Sequence, residues 1–385
     1  RDKYKKKVKD MEMLTYIYTK HQNKGELTKT DLRFLYEIDN KITGFGYKKD
    51  PRIEELLKGR NVRKDLALIF DCKEENISLT EEEALSGNII YHYGDLYLDG
   101  LTSAEGLKLP DKVGGYLDLS GLRSAEGLKL PDKIGGWLKL NGIRSAEGLE
   151  LPTEIGGGLW LNSIASAKDL KLPTEIEEDL SLSGLTSAED LKLPDKIGGY
   201  LDLSSLRSAE GLKLPTEIGG GLFLRGLTSA KDLKLPTEIE GDLSLSGLRS
   251  AEGLKLPDKI RGDLNLRSLT SAENLELPDK IGLNLNLSGL RSAEGLKLPN
   301  EIGVSLYLSG LRSAKGLKLP DKVGGNLELN GLTSAEGLKL PTEIGGRIYL
   351  TSLKSIDGLD LSSSFISKMQ FSDGIKNQLK NQKTL

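Results

Sequence analysis

Few side chains in this sequence could do covalent chemistry. His21 and His92 are the only histidines and Cys72 the only cysteine among 385 residues. Serine hydrolysis needs a histidine beside a serine. His92 is the candidate base, and an enzyme built on it would lose activity with His92→Ala. Cys72 lies among apolar and acidic neighbours, a setting that raises a thiol's pKa and lowers its reactivity. A single cysteine excludes an internal disulfide framework and a multi-cysteine zinc site. The Gly-Gly pairs lack the lysine of a phosphate-binding loop. The sequence therefore gives no catalytic set, no metal ligands and no cofactor site, and a non-enzyme is expected.

The other chemistry on offer is aromatic. Tyr97, Tyr116, Trp137, Trp160, Tyr200, Phe223, Tyr307 and Tyr349 recur at related positions. Asp118, Lys139 and Asp202 are interleaved with them. Large rigid aromatics on an exposed face are typical carriers of binding energy.

A repeated unit must position them. From Gly100 to Thr351 the chain is twelve copies of a 21-residue unit with no insertion or deletion. With Gly100 as position 1, the apolar positions are 2, 5, 8, 10, 14, 18 and 20. In the first copy these are Leu101, Ala104, Leu107, Leu109, Val113, Leu117 and Leu119. Positions 18 and 20 alternate with polar residues, the period of a strand. Positions 2, 5 and 8 have the spacing of a 3₁₀ turn. Proline at position 11 of every copy rules out a helix across the middle of the unit. The Gly-Gly pair at 15 and 16 is expected to turn the chain before the strand. Stacked copies would form leucine ladders with parallel strands, spanning about 58 Å at about 4.8 Å per strand. The expected fold class is a repeat solenoid with short parallel strands, 3₁₀ or irregular outer segments and a small helical N-terminal cap.

The segment LKLPDKVGGYLDLSGLRSAEGL, from Leu107, resembles the leucine-rich repeat family, especially the short bacterial and phage-type repeats. It carries the Leu-x-Leu strand and the Leu-Pro turn. The resemblance covers the twelve copies and implies a curved solenoid with strands on the concave side. It departs from the family at Leu122, an apolar residue where family members carry an asparagine that bonds neighbouring backbones. Cys72 does not resemble the catalytic-cysteine ligase domains joined to some bacterial members.

Positions 17 and 19 flank the inward residue at 18, so their side chains leave the core. All seven aromatics of the twelve copies fall there. Strands also favour aromatics for their own packing. Asp118, Asp179, Asp202, Asp242, Asp263 and Glu328 against Lys139 and Arg347 give this face a charge of −4. Phosphate backbones should be repelled. A protein or peptide is the expected partner, a glycan the alternative; a structural spacer is the third reading, and nucleic acid is not expected through the repeats. The aromatic start (Tyr97 to Trp160) and the polar middle (Asp263, Asn265, Asn284, Asn286) suggest two subsites. At positions 12 and 13 Asp precedes Lys, whereas Thr or Asn precedes Glu. Two duplicated module variants account for this, and exposed charges of this kind usually only solvate a face.

Residues 1–78 differ in kind, with 19 basic and 14 acidic residues in a chain whose overall charge is −3. Asp50-Pro51 reads as an N-cap followed by proline at N1. Asn61 is a cap for VRKDLALIF and Thr30 a cap for DLRFLYEI. This part is expected to be a helical cap for the open end of the repeats. From Arg63 the chain faintly resembles the start of a helix-turn-helix, but its second helix would be acidic where DNA reading needs basic or amide residues. The basic start RDKYKKKVKD reads as a solvated helix end. Residues 79–99 form a lead-in, with Leu96 and Leu98 in repeat register. Residues 352–385 are a half repeat and a C-terminal cap, in which Phe365, Ile366, Met369 and Phe371 cover the last copy and a short helix spans 373–382. No apolar run is long enough to span a membrane, and no stretch reads as a signal peptide. The chain begins at Arg1 rather than Met, so an upstream segment is expected. Localisation stays open: a lone thiol suits the cytoplasm, and a disulfide-free solenoid also suits secretion or a cell surface.

Overall fold

The 21-residue unit closes one coil, and two tight turns do most of the closing. In the coil that starts at Gly184, Leu185 N–H donates to Leu182 O at 3.0 Å and Leu191 N–H to Ala188 O at 3.1 Å. The spacing of positions 2, 5 and 8 thus marks two separate i→i+3 turns, and no 3₁₀ helix forms there. Serine at position 4 braces the second turn, as Ser187 Oγ accepts from Glu189 N–H at 3.1 Å. Position 7 sits in the left-handed region, with φ +71° at Gly106, +61° at Asp190 and +59° at Asn274. Only glycine, aspartate or asparagine occupies it, the residues that tolerate this conformation.

The computed structural model describes residues 2–45, 49–355, 357–359 and 366–382. They form a parallel β-solenoid of about 13 turns with short strands and an N-terminal helical region. The chain divides into two compact units, one of Arg1–Leu122, Glu126–Leu140 and Glu150–Gly157, the other of Arg123–Ala125, Asn141–Leu149 and Gly158–Leu385.

The first unit begins with helices α1 (Asp2–Gln22), α2 (Lys29–Leu35), α3 (Pro51–Leu57) and α4 (Val62–Phe70). The Asp50 and Asn61 caps are in place, accepting from Arg52 N–H and Lys64 N–H. The cap of α2 is Thr28, not Thr30: Thr28 and Asp31 form a reciprocal capping box, so the helix starts two residues earlier than the sequence suggests. After α4, Glu74–Asn76 is a single 3₁₀ turn leading into strand β1 (Ile77–Ser78), so the second helix of a helix-turn-helix does not form there. Helix α5 (Glu81–Ala84) and strands β2 (Tyr91–His92) and β3 (Leu96–Tyr97) complete the lead-in. Helices α2 and α4 pack Leu32, Tyr36, Leu66 and Ile69 against Ile77 and Tyr91, which joins the helical core to the first coil. Phe70 stacks on Tyr91 with centroids 4.6 Å apart.

Each coil contributes two strands. The expected one covers positions 18–19, and Leu96 pairs with Leu117 in the register foreseen. The other covers positions 13–14, as in Lys112–Val113, a strand that the sequence reading did not foresee. In the first unit it continues the order Ile77–Ser78, Tyr91–His92, Lys112–Val113, Lys133–Ile134 and Glu154–Ile155. In the second unit the strands at 18–19 run parallel from Leu159–Trp160 to Ile348–Leu350 and end on Met369–Phe371. The strands at 13–14 form two groups there, with a gap between Glu217–Ile218 and Glu238–Ile239. Helix α6 (Asp373–Gln382) follows. Met369 and Phe371 are buried and pair with Ile348 and Leu350 of the last copy, the cover expected of them; Phe365 and the side chain of Ile366 lie outside the described residues.

The core is the leucine ladder. Leu185, Ile197, Leu201 and Leu203 are fully buried, and Ala188 and Leu191 nearly so. Each such leucine contributes about 1.5–3 kcal/mol. The Gly-Gly pair bends the chain just before the strand, as expected, and has a second role. A Cβ on Gly135 would stand 2.3 Å from Gly114 O of the preceding coil. Glycine at 135 therefore lets its coil approach the preceding one closely, whereas Glu177, Glu240 and Arg261 occupy the same position in three other coils.

Candidate functional site

The face formed by positions 17 and 19 belongs in part to each unit. In the first unit Tyr97 and Tyr116 are 47% and 39% exposed, and Trp137 is half-buried. The rings at position 17 lean over the next coil. A Cβ on Gly136 would meet Tyr116 Cδ1 at 2.5 Å, and one on Gly157 would meet Trp137 Cδ1 at 2.7 Å. Tyr97 pairs in register with Asp118, and Asp118 with Lys139. The Asp118 and Lys139 charges are 3.7 Å apart, so they answer one another as well as any ligand. Asp95 accepts from Tyr116 N–H at 2.8 Å and from the Tyr97 hydroxyl at 3.2 Å. Its charge is the main reason the Tyr97 phenol is held above its usual pKa.

In the second unit Trp160, Tyr200 and Phe223 are half-buried on the same face. The Tyr200 and Phe223 rings are tilted with centroids 5.7 Å apart, and the Arg225 guanidinium lies 4.5 Å from the Phe223 centroid. Phe223 also fills the space left by its own coil's glycine, since a Cβ on Gly221 would be 3.0 Å from its ring. Burial raises the Tyr200 phenol pKa, and Asp179 and Asp202 add to it; the Trp160 indole beside it works the other way. Tyr307 and Tyr349 are half-buried further along, flanking Glu328 in register.

The polar residues of this face mostly serve the backbone. At position 17 a side-chain oxygen accepts the N–H found 21 residues on: Asp179 from Tyr200 at 2.8 Å, Asp242 from Asp263 at 2.8 Å, Asp263 from Asn284 at 2.9 Å, Asn284 from Ser305 at 2.9 Å and Asn326 from Arg347 at 2.9 Å. At position 19 Asp202, Asn265 and Asn286 accept from the N–H two residues on, closing the strand. The coil-to-coil side-chain bonding that Leu122 cannot make is carried here instead. Asp263 and Asn284 are thus tied to coil stacking, and Asn265 and Asn286 to the end of their own strand. Burial holds Asp179 above the usual carboxylate range, against its bond to Tyr200 N–H.

Position 13, read from the sequence as a solvated charge, is a strand position. Its lysines and glutamates pair between coils, as in Lys133–Glu154 at 2.8 Å, Lys196–Glu175 at 3.4 Å, Lys280–Glu301 at 3.2 Å and Lys322–Glu343 at 3.5 Å. The gap in this row falls between Glu217 and Glu238, whereas the like-charged Lys112 and Lys133 pair in register.

One pair escaped the sequence reading. Ser78 Oγ is 2.9 Å from His92 Nδ1, and His92 Nε2 is 3.1 Å from Asp95 O. A carbonyl only accepts, so Nε2 carries the proton and Nδ1 accepts from the serine. Ser78 and His92 are 0% and 1% exposed. Burial, the largest influence, lowers the His92 pKa and keeps the ring neutral. No signal short of the β1–β2 pairing brings residues 78 and 92 together. Burial, then the Asp71 charge, raises the Cys72 thiol pKa. Among the described residues no group of three or more His, Cys, Asp or Glu is placed to hold a metal ion. Among the described residues no helix is long and apolar enough to cross a membrane.

Comparison with protein-family models, with curated proteins and with solved structures finds no match.

Proposed function

We propose that this chain is a non-catalytic recognition scaffold of the leucine-rich-repeat-like kind, which binds a protein or peptide through the side chains at positions 17 and 19. The supporting observation is the confinement of all seven repeat aromatics to those two positions, on coils that are otherwise near copies. A strand needs only its inward residues for the core, and Leu117 and Leu119 already fill that role at 0% exposure. Tyr97 and Tyr116 present the most open rings, beside Asp95 and Asp118, a setting for a peptide with an apolar anchor and a basic neighbour. The family likeness rests on the Leu-x-Leu strand and Leu-Pro turn of each coil.

A displayed peptide library panned on the full chain, then counter-screened on Tyr97→Ala with Tyr116→Ala, tests this. Selected peptides should bind the variant at least about 30-fold more weakly, as expected when two hot-spot rings are removed, while its melting curve stays close to wild type. Peptides indifferent to these changes, and to Trp160→Ala with Phe223→Ala, would refute the reading. Selection of glycans in place of peptides on a glycan array would move the ligand class to carbohydrate.

A further inference from the structure

Two columns rich in lysine recur through the coils, and they differ in composition. At position 13 six lysines are set against six glutamates, and five of the lysines pair with a glutamate of a neighbouring coil. At position 9 ten of twelve residues are lysine. Lys171, Lys192, Lys213, Lys234 and Lys255 follow one another in five successive coils of the second unit, and all are exposed. None of the five makes an ion pair or side-chain hydrogen bond among the described residues. Coils stack at the strand spacing of about 4.8 Å. Like charges held side by side at that spacing oppose stacking. At position 13 the repeat sets a glutamate beside Lys133, Lys196, Lys259, Lys280 and Lys322, but it sets none among these five coils at position 9.

The column is one lysine wide in three of the five coils, and Lys168 and Lys231, three residues earlier, widen it in the other two. Exposed carboxylates lie two or three residues before it in the coil, at Glu189, Asp190, Glu210, Asp232 and Glu252. A duplex or a bilayer presents a broad negative surface and would meet these carboxylates as well as the lysines. A single strand of nucleic acid is normally held by aromatic stacking beside the cations, and every repeat aromatic is at position 17 or 19. The partner that fits is a thin chain whose charges recur along its length.

We propose that the Lys171–Lys255 column binds a linear acidic polysaccharide, laid along the stack with its carboxylates or sulfates against successive ammonium groups. Lysine suits this task, because a point charge on a flexible stem adjusts to a sugar spacing that need not equal the coil spacing. The site is separate from the aromatic face, and its test does not depend on a ligand there.

The probe is labelled polygalacturonate titrated into the full chain. Five lysine contacts predict binding that weakens about a hundredfold between about 50 and 200 mM salt, from a slope of about −0.7 per contact. Lys192→Gln, Lys213→Gln and Lys234→Gln together should weaken binding at least about tenfold and flatten the salt slope by about two. The matching triple at position 13, Lys196→Gln, Lys259→Gln and Lys280→Gln, removes the same charge and should leave binding unchanged. Melting curves of both triples verify the fold. The proposal is overturned by no binding to the wild type at about 50 mM salt, by equal loss in the two triples, or by equal affinity for fully methyl-esterified polymer. Tighter binding of polyphosphate or oligo-dT of the same charge would overturn it in favour of a phosphate chain.

Discussion

Replacing Asp263 tests whether the side chains at position 17 bind a partner or hold the coils together. Its Oδ1 accepts Asn284 N–H at 2.9 Å and the Asn284 side-chain amide at 2.8 Å. Asp263→Ala removes the acceptor for both. A buried donor left unpaired costs about 1–3 kcal/mol. Asp263 and Asn284 are half-buried, which puts the expected cost at about 1–2 kcal/mol. Asp263→Asn keeps an oxygen in the same place and removes the like charge beside Asp242, and asparagine already does this job at Asn284 and Asn326. It should change stability by less than about 0.5 kcal/mol. The assay is amide hydrogen exchange, which reads local opening without assuming a single unfolding step. Alanine should speed exchange of the Asn284 amide about 5- to 30-fold, as a change of 1–2 kcal/mol requires. The Leu201 amide, three coils away, should not change. Equal effects of alanine and asparagine, or an unchanged Asn284 amide, would refute the ladder argument.

Leu201→Ala should cost about 2–5 kcal/mol as a buried ladder residue, whereas Thr186→Ala, exposed at position 3, should stay within about 0.5 kcal/mol; paired urea titrations measure both. Gly135→Ala should destabilise by about 1–3 kcal/mol, because its Cβ has no room beside Gly114 O, and Gly106→Ala by about 1 kcal/mol from left-handed strain alone; the two should differ in the same titration. Burial lowers the His92 pKa in the folded chain, so the unfolded chain takes up the proton first. The stability from this group is complete above about pH 6.5 and falls as pH drops below that value, by up to about 1.4 kcal/mol per unit. His92→Gln should flatten the stability profile between about pH 6.5 and 5; parallel profiles would show that the ring is not the titrating group.

Much of the coil was legible because its causes are local. Leucine at 18 and 20 and proline at 11 each act within one unit, and their roles came through. Caps at Asp50 and Asn61 are equally local, and the Thr28 cap was missed by two residues because Thr30 carries the same hydroxyl. The second strand escaped because positions 13 and 14 alternate for too few residues to show a period. Position 7 could have been found, since glycine, aspartate and asparagine share only their tolerance of positive φ. The ladder at position 17 was hidden by its own variety. Aspartate, asparagine and serine there look like diversification until the coil 21 residues on is placed beside them. The pairing of Ser78 with His92 depends on how the lead-in enters the stack, which no local pattern encodes.

The absence of any insertion among the twelve units leaves the folding chain with a counting problem. Coil and neighbour offer nearly the same leucines, so a stack that skips one coil and throws out a 21-residue loop would rebuild almost every core contact. What such a slipped stack cannot rebuild are the contacts that differ from coil to coil. Lys196 would lose Glu175, Lys280 would lose Glu301, and the oxygens of Asp263 and Asn284 would face the wrong amides. The small differences between copies act as addresses, and they favour the stack in which each coil occupies its own place.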